Sequence, residues 1–311
     1  MVGAVAHAGC GKAVGEGAPG ADAAVDGAPD NTPPPDSAVA TAPRCDPSKP
    51  FGAPIQVANV NSTARDQGAI LIDELTMLFG SDRNTMTNIY SSTRASLTSP
   101  FTTPVALDGL DGADVESSPS VTDDGLTLYY AHAVTGSVNA GDLYVTQRTS
   151  KTAQFPVGTP VGVVNSTSDE EDPYITPDGS ALYFDSARTG TQLHLYSAVR
   201  QADGSFAPPQ EMSLNTNGVV DSHPHLSHDG LTIYWSSTRT DGGAQPGTDI
   251  WMATRSSTAG EFGTATRVPE LSSSSNESLS WISADGCEAL LQSDRAPTLG
   301  AQDIFIALRP M

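Results

Sequence analysis

The chain has 311 residues, and its 36 acidic side chains outnumber its 15 lysines and arginines to give a formal net charge of −21. A surface this acidic repels phosphate backbones, so the composition argues against nucleic acid and against membrane docking through a basic patch. Charged residues make up only 16% of the chain, whereas 29 glycines and 23 prolines imply many turns. This balance disfavours long helices and predicts an exported, all-β protein.

The first fifty residues predict a tether rather than a domain. Residues 11–50 are mostly Gly, Ala, Pro and Asp, and no aromatic residue precedes Phe51. Such a segment buries too little apolar area to offset its ordering entropy, so we expect a disordered linker. Residues 1–10, MVGAVAHAGC, resemble the end of a truncated bacterial lipoprotein signal, in which Cys10 would carry the lipid. The alternative is an ordinary N-terminus with an unmodified Cys10, because the segment lacks an initial Lys or Arg and has His7 where Leu or Val is usual.

A repeat of about fifty residues occurs five times over residues 51–311, and its elements recur in phase. Each unit has a turn, usually Asp-Gly, then an aromatic-rich run, an Asp-Leu-Tyr-like element, a closing arginine and a separating Phe. The turns are Asp73-Glu74, Asp124-Gly125, Asp178-Gly179, Asp229-Gly230 and Asp285-Gly286. The closing arginines are Arg94, Arg148, Arg200, Arg255 and Arg309. The phenylalanines are Phe51, Phe101, Phe155, Phe206 and Phe262.

The pattern inside each unit predicts four short antiparallel strands. An Asp-Gly pair between two apolar runs is typical of a tight hairpin turn, because glycine readily adopts the positive φ that the turn needs. The run from Leu126 to Tyr130 alternates apolar and polar residues, as a half-buried strand does. Segments such as Pro160–Val164 supply the fourth strand. Four antiparallel strands repeated around an axis predict a five-bladed β-propeller over residues 51–311.

The two ends of the repeat predict how the ring closes. The last unit reaches Met311 without a fourth strand, while residues 51–58 match the fourth-strand pattern of residues 206–212. The N-terminal strand should therefore complete the last blade, which removes an exposed sheet edge. The alternative is an open solenoid with unpaired edges. Cys45 and Cys287 flank the predicted seam, so we expect a disulfide there, with two unpaired thiols as the alternative.

Unit 4 carries the clearest family signature. Its segments Pro224–Gly230, Ser237-Thr238-Arg239 and Asp249-Ile250-Trp251 resemble the TolB-like class of WD40-like propeller repeats. The resemblance implies a scaffold for interaction or sensing, in which the recurring arginines pair with acidic residues of the repeat. Those arginines are Arg83, Arg188, Arg239 and Arg295. Unit 2 departs from the signature, with Ala131-His132-Ala133 in place of Ser-x-Arg.

One set of acidic residues lies in phase with the repeat, eight residues before each turn Asp. The set is Glu116, Glu170, Asp221 and Glu277, with Arg65 at the same position in unit 1. Because the first strand of a propeller blade lines the central channel, we expect a ring of carboxylates at the channel mouth that binds a ligand or Ca²⁺. Trp281 would stack on that ligand. The alternatives are that the carboxylates accept backbone N–H bonds and that Trp281 belongs to the core between blades.

Unit 4 also offers a candidate transition-metal site. Asp221, His223 and His225 are spaced two residues apart, so on a regular strand they share one face. A carboxylate and two imidazoles suit a transition metal. The alternative is that all three are polar channel or inter-blade residues.

The sequence favours a non-enzymatic binding module without a required cofactor. We expect a monomeric, exported propeller in the periplasm or at the cell surface, tethered through Cys10, that binds a protein, peptide or glycan. The alternative is a carbohydrate-active enzyme, a glycoside hydrolase or lyase, that uses the channel carboxylates or the Asp221, His223 and His225 cluster. Two catalytic carboxylates would be needed for hydrolysis, and no residue pattern marks an acid and a base.

Overall fold

The computed structural model describes residues 44–110, 114–135, 141–244 and 246–311, which form five four-stranded antiparallel sheets. Strands are numbered in chain order. The first strands of blades 1 to 5 are β2 (Asp66–Asp73), β6 (Val115–Val121), β10 (Glu170–Ile175), β14 (Asp221–Leu226) and β18 (Glu277–Ile282). The second strands are β3 (Thr76–Asn84), β7 (Thr127–Ala133), β11 (Ala181–Ser186), β15 (Thr232–Ser237) and β19 (Glu288–Ser293). The third strands are β4 (Met86–Thr93), β8 (Asp142–Gln147), β12 (His194–Val199), β16 (Asp249–Thr254) and β20 (Asp303–Leu308). The fourth strands are β5 (Val105–Ala106), β9 (Thr159–Pro160), β13 (Gln210–Glu211), β17 (Thr266–Arg267) and β1 (Ile55–Gln56).

The five sheets are arranged as a closed propeller. The first strands contact one another in a ring, in the order β2, β6, β10, β14, β18 and back to β2. The predicted closure is confirmed, because β1 pairs with β20 and places Ile55 opposite Ile306. Cys45 and Cys287 form the expected disulfide across this seam, with their Cα atoms 5.6 Å apart.

The hydrophobic core is divided into five clusters, one between each pair of adjacent blades. The alternation of the second strands produces this arrangement, since successive side chains point to opposite faces of a sheet. On β7, Leu128 and Tyr130 pack toward blade 1, whereas Tyr129 and Ala131 pack toward blade 3. Both faces of each sheet are therefore buried, so each blade depends on both neighbours for stability.

The closing arginine and the phenylalanine of each repeat form one structural unit. Arg148 stacks over Phe155 at 4.4 Å from the ring centroid, and its Nε donates to the carbonyl of Gly125 in the hairpin turn. At the seam, Arg309 stacks over Phe51 at 4.1 Å, although the two residues lie at opposite ends of the propeller sequence. The last blade is thus completed by the same contact as the others, which explains why these residues recur in phase.

Two local features differ from the sequence expectation. The fourth strands contain only two residues each, and Gly162–Val164 forms a short 3-10 helix instead of extending β9. Pro160 has no N–H to donate, which favours an early end to an edge strand. That 3-10 turn is the only helical element in the described segments, so they contain no helical membrane span.

Candidate functional site

The carboxylates in phase with the repeat lie inside the blades. Glu170, Asp221 and Glu277 begin their first strands, and each is fully buried beside the arginine of its own blade. The ion pairs are Glu170–Arg188 at 2.9 Å, Asp221–Arg239 at 2.8 Å and Glu277–Arg295 at 3.1 Å. The prediction that the repeat arginines pair with repeat acids is confirmed. These three buried ion pairs do not form the open ring of ligand-binding carboxylates that the sequence led us to expect.

The loop that enters each first strand supplies the remaining hydrogen bonds. The backbone N–H and the hydroxyl of Ser166 both donate to Glu170, at 2.7 and 2.6 Å. The backbone N–H of Ser273 donates to Glu277 in the same way, at 2.8 Å. Glu170 and Glu277 therefore accept backbone N–H bonds, as the alternative interpretation of the sequence expected, and the donors lie in the loops that enter the first strands. These carboxylates anchor the connections between blades.

Blades 1 and 2 show how the repeat is modified. In blade 1 the anchoring acid is Asp66, which lies 2.6 Å from Arg83, so the sequence alignment that placed Arg65 there was wrong by one residue. In blade 2 the imidazole of His132 lies 3.4 Å from Glu116. The pairing register puts His132 at the serine position of Ser-x-Arg and Val134 at the arginine position. The motif in unit 2 is thus His132-Ala133-Val134 and not the segment that begins at Ala131.

Trp281 and the candidate ligands Asp221, His223 and His225 do not come together in one site. Trp281 is half-buried and packs against the core clusters on both sides of blade 1. Asp221 also accepts a hydrogen bond from the indole of Trp235, at 3.0 Å. His225 is buried, and its Nε2 accepts the backbone N–H of Ile282 at 3.1 Å. Burial lowers the pKa of His225 to about 3, so this imidazole is neutral.

A β-bulge in the first strands is the reason that Asp221, His223 and His225 do not converge. The register of β14 shifts between Ser222 and His225, and His223 has a φ of +53°. The rule that residues two apart share a face fails at a bulge, because one residue is left unpaired and redirected. Among the described residues, the histidine that joins a possible metal-binding group is His223, and its companions are Asp172 and Asp185.

The same bulge recurs in the first strands of blades 1 to 3 and creates the polar wall of the channel. Gly68, Ser118, Asp172 and His223 occupy equivalent positions, two residues after the anchoring acid, and all have positive φ. Together with Leu279 of blade 5 they line a narrow cavity of about 30 Å³ at the centre of the ring. The bulge therefore turns one residue of each of these four blades toward the axis, and among the described residues only blades 3 and 4 place a titratable group at this position.

A chain of hydrogen bonds connects these channel residues. The hydroxyl of Ser118 donates to Asp172 at 2.5 Å, and Nδ1 of His223 lies 3.1 Å from the other oxygen of Asp172. On the far side, the backbone N–H of Gly68 donates to the amide oxygen of Gln292 at 2.6 Å. The amide nitrogen of Gln292 lies 3.1 Å from Nε2 of His223, so it donates to that atom. This network places the imidazole proton on Nδ1, which lies 3.0 Å from the hydroxyl of Ser222 and 3.1 Å from Asp172.

Two further carboxylates flank this network. Asp185 on β11 pairs in register with Glu171 on β10, one residue before Asp172. Asp185 is fully buried, and no side chain donates a hydrogen bond to either of its oxygens. Burial, together with the charges of Asp172 and Glu171, raises the pKa of Asp185 well above its ordinary value. Glu171 is exposed, yet desolvation by surrounding atoms and repulsion from Asp172 and Asp169 raise its pKa to about 7.

Sequence reasoning missed Asp172, Asp185, Glu171 and Gln292, although a signal for them exists. The position of Asp185 holds Gly80, Ala131, Ser236 and Gln292 in the other blades. The position of Asp172 holds Gly, Ser, His or Leu. A search for residues that depart from the repeat would have found both aspartates, whereas the search for residues in phase with the repeat finds the scaffold.

Comparison with protein-family models and with curated proteins finds no match to this chain. Solved structures with a similar fold include an endo-arabinase from Bacteroides thetaiotaomicron, at 15% identity over 84% of this chain and 98% of that one, with a TM-score of 0.53. A family 117 glycoside hydrolase from Zobellia galactanivorans matches at 12% identity over 84% and 89%, with a TM-score of 0.50. TolB from Acinetobacter baumannii matches at 18% identity over 84% of this chain and 54% of that one, with a TM-score of 0.42. The two glycoside hydrolase structures share the β-propeller fold of this chain, and this likeness shows the fold alone.

Proposed function

We propose that the protein is an exported, membrane-tethered β-propeller that acts as a non-enzymatic interaction module. Its ligand, a protein, peptide or glycan, would bind at the end of the ring where the first strands begin, which we term the channel opening. The observation that supports this proposal is the pairing of the in-phase carboxylates with arginines. Glu170, Asp221 and Glu277 are each neutralised by an arginine of their own blade, so none is free to exchange a proton with a substrate.

The polar groups left for recognition are those of blades 3 and 4. Glu171 is exposed next to Asp172, and Arg65 lies near enough to influence the Glu171 carboxylate. A few charged and polar groups at the mouth of a cavity can fix the orientation of a ligand without transforming it. The channel is narrow, so a macromolecular ligand would contact the opening rather than pass through the ring.

A binding screen tests this proposal directly. The full chain should retain one or more ligands on glycan and peptide arrays, and Glu171→Gln should weaken that binding at least several-fold. Glu74→Gln is the matched control, because Glu74 is an exposed acid in the hairpin turn at the opposite end of blade 1. Equal loss in both variants would indicate a general effect of charge, and it would contradict the placement at the channel opening.

A carbohydrate-active enzyme is the second candidate, and Glu171 is the observation that favours it. A carboxyl with a pKa of about 7 can donate a proton near neutral pH, as a general acid must. Asp172 would then be the second carboxylate. Reproducible hydrolysis or lysis of arabinan or another polysaccharide, abolished by Glu171→Gln, would establish this function and overturn the non-enzymatic proposal.

Export and tethering rest on separate observations. The Cys45–Cys287 disulfide supports export, because such bonds persist in oxidising compartments. Cys10 lies outside the described residues, so its lipidation is proposed from the sequence alone. Mass spectrometry of the mature protein should find a lipid-modified Cys10 at the N-terminus. An unmodified Cys10 in the mature protein would end the tethering proposal and leave the propeller unaffected.

A further inference from the structure

We propose that Asp172, Asp185 and His223 form a binding site for one divalent transition-metal ion at the interface of blades 3 and 4. One oxygen from each carboxylate and one imidazole nitrogen lie within 4.8 Å of one another. Ligands on opposite sides of an ion with bonds of about 2.1 Å are about 4.2 Å apart, so a small inward movement completes the coordination. This inference goes beyond the proposed function, because an ion can bind whether or not the channel opening recognises a ligand.

Asp185 is the residue that requires a cation. Its side chain is fully buried, and no side chain donates a hydrogen bond to either carboxylate oxygen. The backbone N–H groups of Asp185 and His223 offset only part of the rise in its pKa that burial causes. A buried polar group without a partner is costly, and native proteins retain one where another component satisfies it. Among the described residues, no arginine or lysine pairs with Asp185, whereas Arg188 pairs with Glu170 in the same blade. A metal ion held between Asp185 and Asp172 would supply both charge compensation and coordination.

The ligand types indicate the class of metal. Two carboxylates alone would suit Mg²⁺ or Ca²⁺, which prefer oxygen ligands. The imidazole of His223 favours a transition metal such as Mn²⁺, Fe²⁺ or Zn²⁺. The nitrogen nearest Asp172 is Nδ1, at 3.1 Å, which makes Nδ1 the ligand atom. The hydroxyl of Ser118 donates to Asp172 and would hold that carboxylate in orientation without touching the ion itself.

Metal binding at Nδ1 moves the imidazole proton, and Gln292 controls where it goes. Nδ1 must lose its proton to bind the ion, so His223 must carry its remaining proton on Nε2. Nε2 faces the amide nitrogen of Gln292, whose oxygen accepts the N–H of Gly68. The amide must therefore turn over when the ion binds. Gln292→Glu removes this requirement, because one carboxylate oxygen can accept from Gly68 and the other from Nε2 of His223.

Metal binding to the full chain tests the site without any other ligand. After chelator treatment, the protein is titrated separately with Mn²⁺, Zn²⁺ and Ca²⁺ by calorimetry, and bound metal is counted by elemental analysis. We expect one equivalent of Mn²⁺ or Zn²⁺ per chain and weaker binding of Ca²⁺. Asp185→Ser and His223→Ser should each weaken binding at least tenfold. Both changes are tolerable, because Ser236 and Ser118 occupy the same positions in neighbouring blades.

Two further variants sharpen the test. His194→Gln is the control, because His194 forms a similar histidine–carboxylate contact with Glu211, at 2.7 Å, outside the channel. Gln292→Glu should tighten metal binding by about tenfold, because the new carboxylate would accept the Nε2 proton of His223 and hold the ring for the ion. Absence of stoichiometric Mn²⁺ or Zn²⁺ binding would overturn the proposal, as would binding that survives Asp185→Ser or falls equally in His194→Gln. Weaker binding in Gln292→Glu would overturn the choice of Nδ1. Failure of the ligand arrays affects none of these outcomes.

Discussion

The carboxylates that begin the first strands and the carboxylates that face the channel differ in what surrounds them. Glu170 has an arginine, a serine hydroxyl and a backbone N–H within hydrogen-bond distance. Asp185 lies on the adjacent strand of the same blade, is equally buried, and has no side-chain hydrogen-bond donor for either oxygen. The first group recurs around the ring and stabilises the blades, whereas the second occurs once and buries a carboxyl group without a hydrogen-bonding side chain. Breaking an arginine pair of the first group should therefore lower the free energy of unfolding, whereas removing the carboxyl group of Asp185 should raise it.

The largest effect is expected from breaking an arginine pair. Arg188→Ala leaves Glu170 buried and uncompensated, and it also removes the guanidinium that lies over the rings of Phe184 and Tyr196. We expect the free energy of unfolding to fall by about 3–5 kcal/mol in urea titrations. Arg65→Ala is the control, because Arg65 is exposed and 3.9 Å from Asp82, and its loss should cost less than about 1 kcal/mol. Similar losses in the two variants would show that the buried pairs are not special.

Removing the unpartnered carboxylate should have the opposite sign. Asp185→Ser replaces a buried acid by the residue that blade 4 has at this position, Ser236. In the presence of a chelator, the variant should be more stable than the wild type by on the order of 1–2 kcal/mol, because it no longer buries a polar carboxyl group that lacks a hydrogen-bonding side chain. Urea unfolding measures the difference. A loss of stability under these conditions would mean that Asp185 has a stabilising role within the fold itself.

Blade 2 allows the repeat to be restored. Val134 is 55% exposed and occupies the position that holds an arginine in the other blades. Val134→Arg should reach Glu116 and raise the free energy of unfolding by up to about 1 kcal/mol, since part of the gain is lost to solvent screening. Val163→Arg, at an exposed valine outside the pattern, controls for the added charge. An equal gain in the control would attribute the effect to net charge alone.

The smallest effect is a pH dependence at Glu171. The folded chain raises the pKa of this carboxyl from 4.5 to about 7 and so holds the proton more tightly than the unfolded chain. The resulting stabilisation is complete below about pH 4.5 and is lost as the pH rises through about 7. Glu171→Gln should remove this part of the slope, which solvent screening limits to below about 1 kcal/mol because the side chain is exposed. An unchanged slope in urea titrations across this range would contradict the raised pKa.

The sequence predicts the propeller well because each repeated element has a local physical cause. Asp-Gly turns, alternating strands and the arginine–phenylalanine pair, such as Arg309 over Phe51, all specify contacts that recur in every blade. Five copies also predict closure, since residues 51–58 match the fourth strand that the last blade lacks. The disulfide follows from the same closure.

The candidate site could not be predicted in the same way. Periodicity identifies Glu170 and Asp221, and the family resemblance predicts arginine partners for the repeat acids, but neither shows that these carboxylates are buried away from the channel. The bulge at His223 also invalidates the alternation rule at the one place where it mattered for a metal site. Asp172 and Asp185 are identified by departure from the repeat and by burial, and burial is known only once the blades are packed.

The seam has a mechanical consequence. The chain ahead of Cys45 is joined to blade 5 by the disulfide to Cys287, which directly precedes β19, and Arg44 adds ion pairs to Asp285 and Glu288. A pull on the N-terminus is therefore carried by a covalent bond into an internal strand of blade 5. The two-residue strand β1 lies after Cys45, so this force does not act on it. Tension on the N-terminus would therefore not separate β1 from β20.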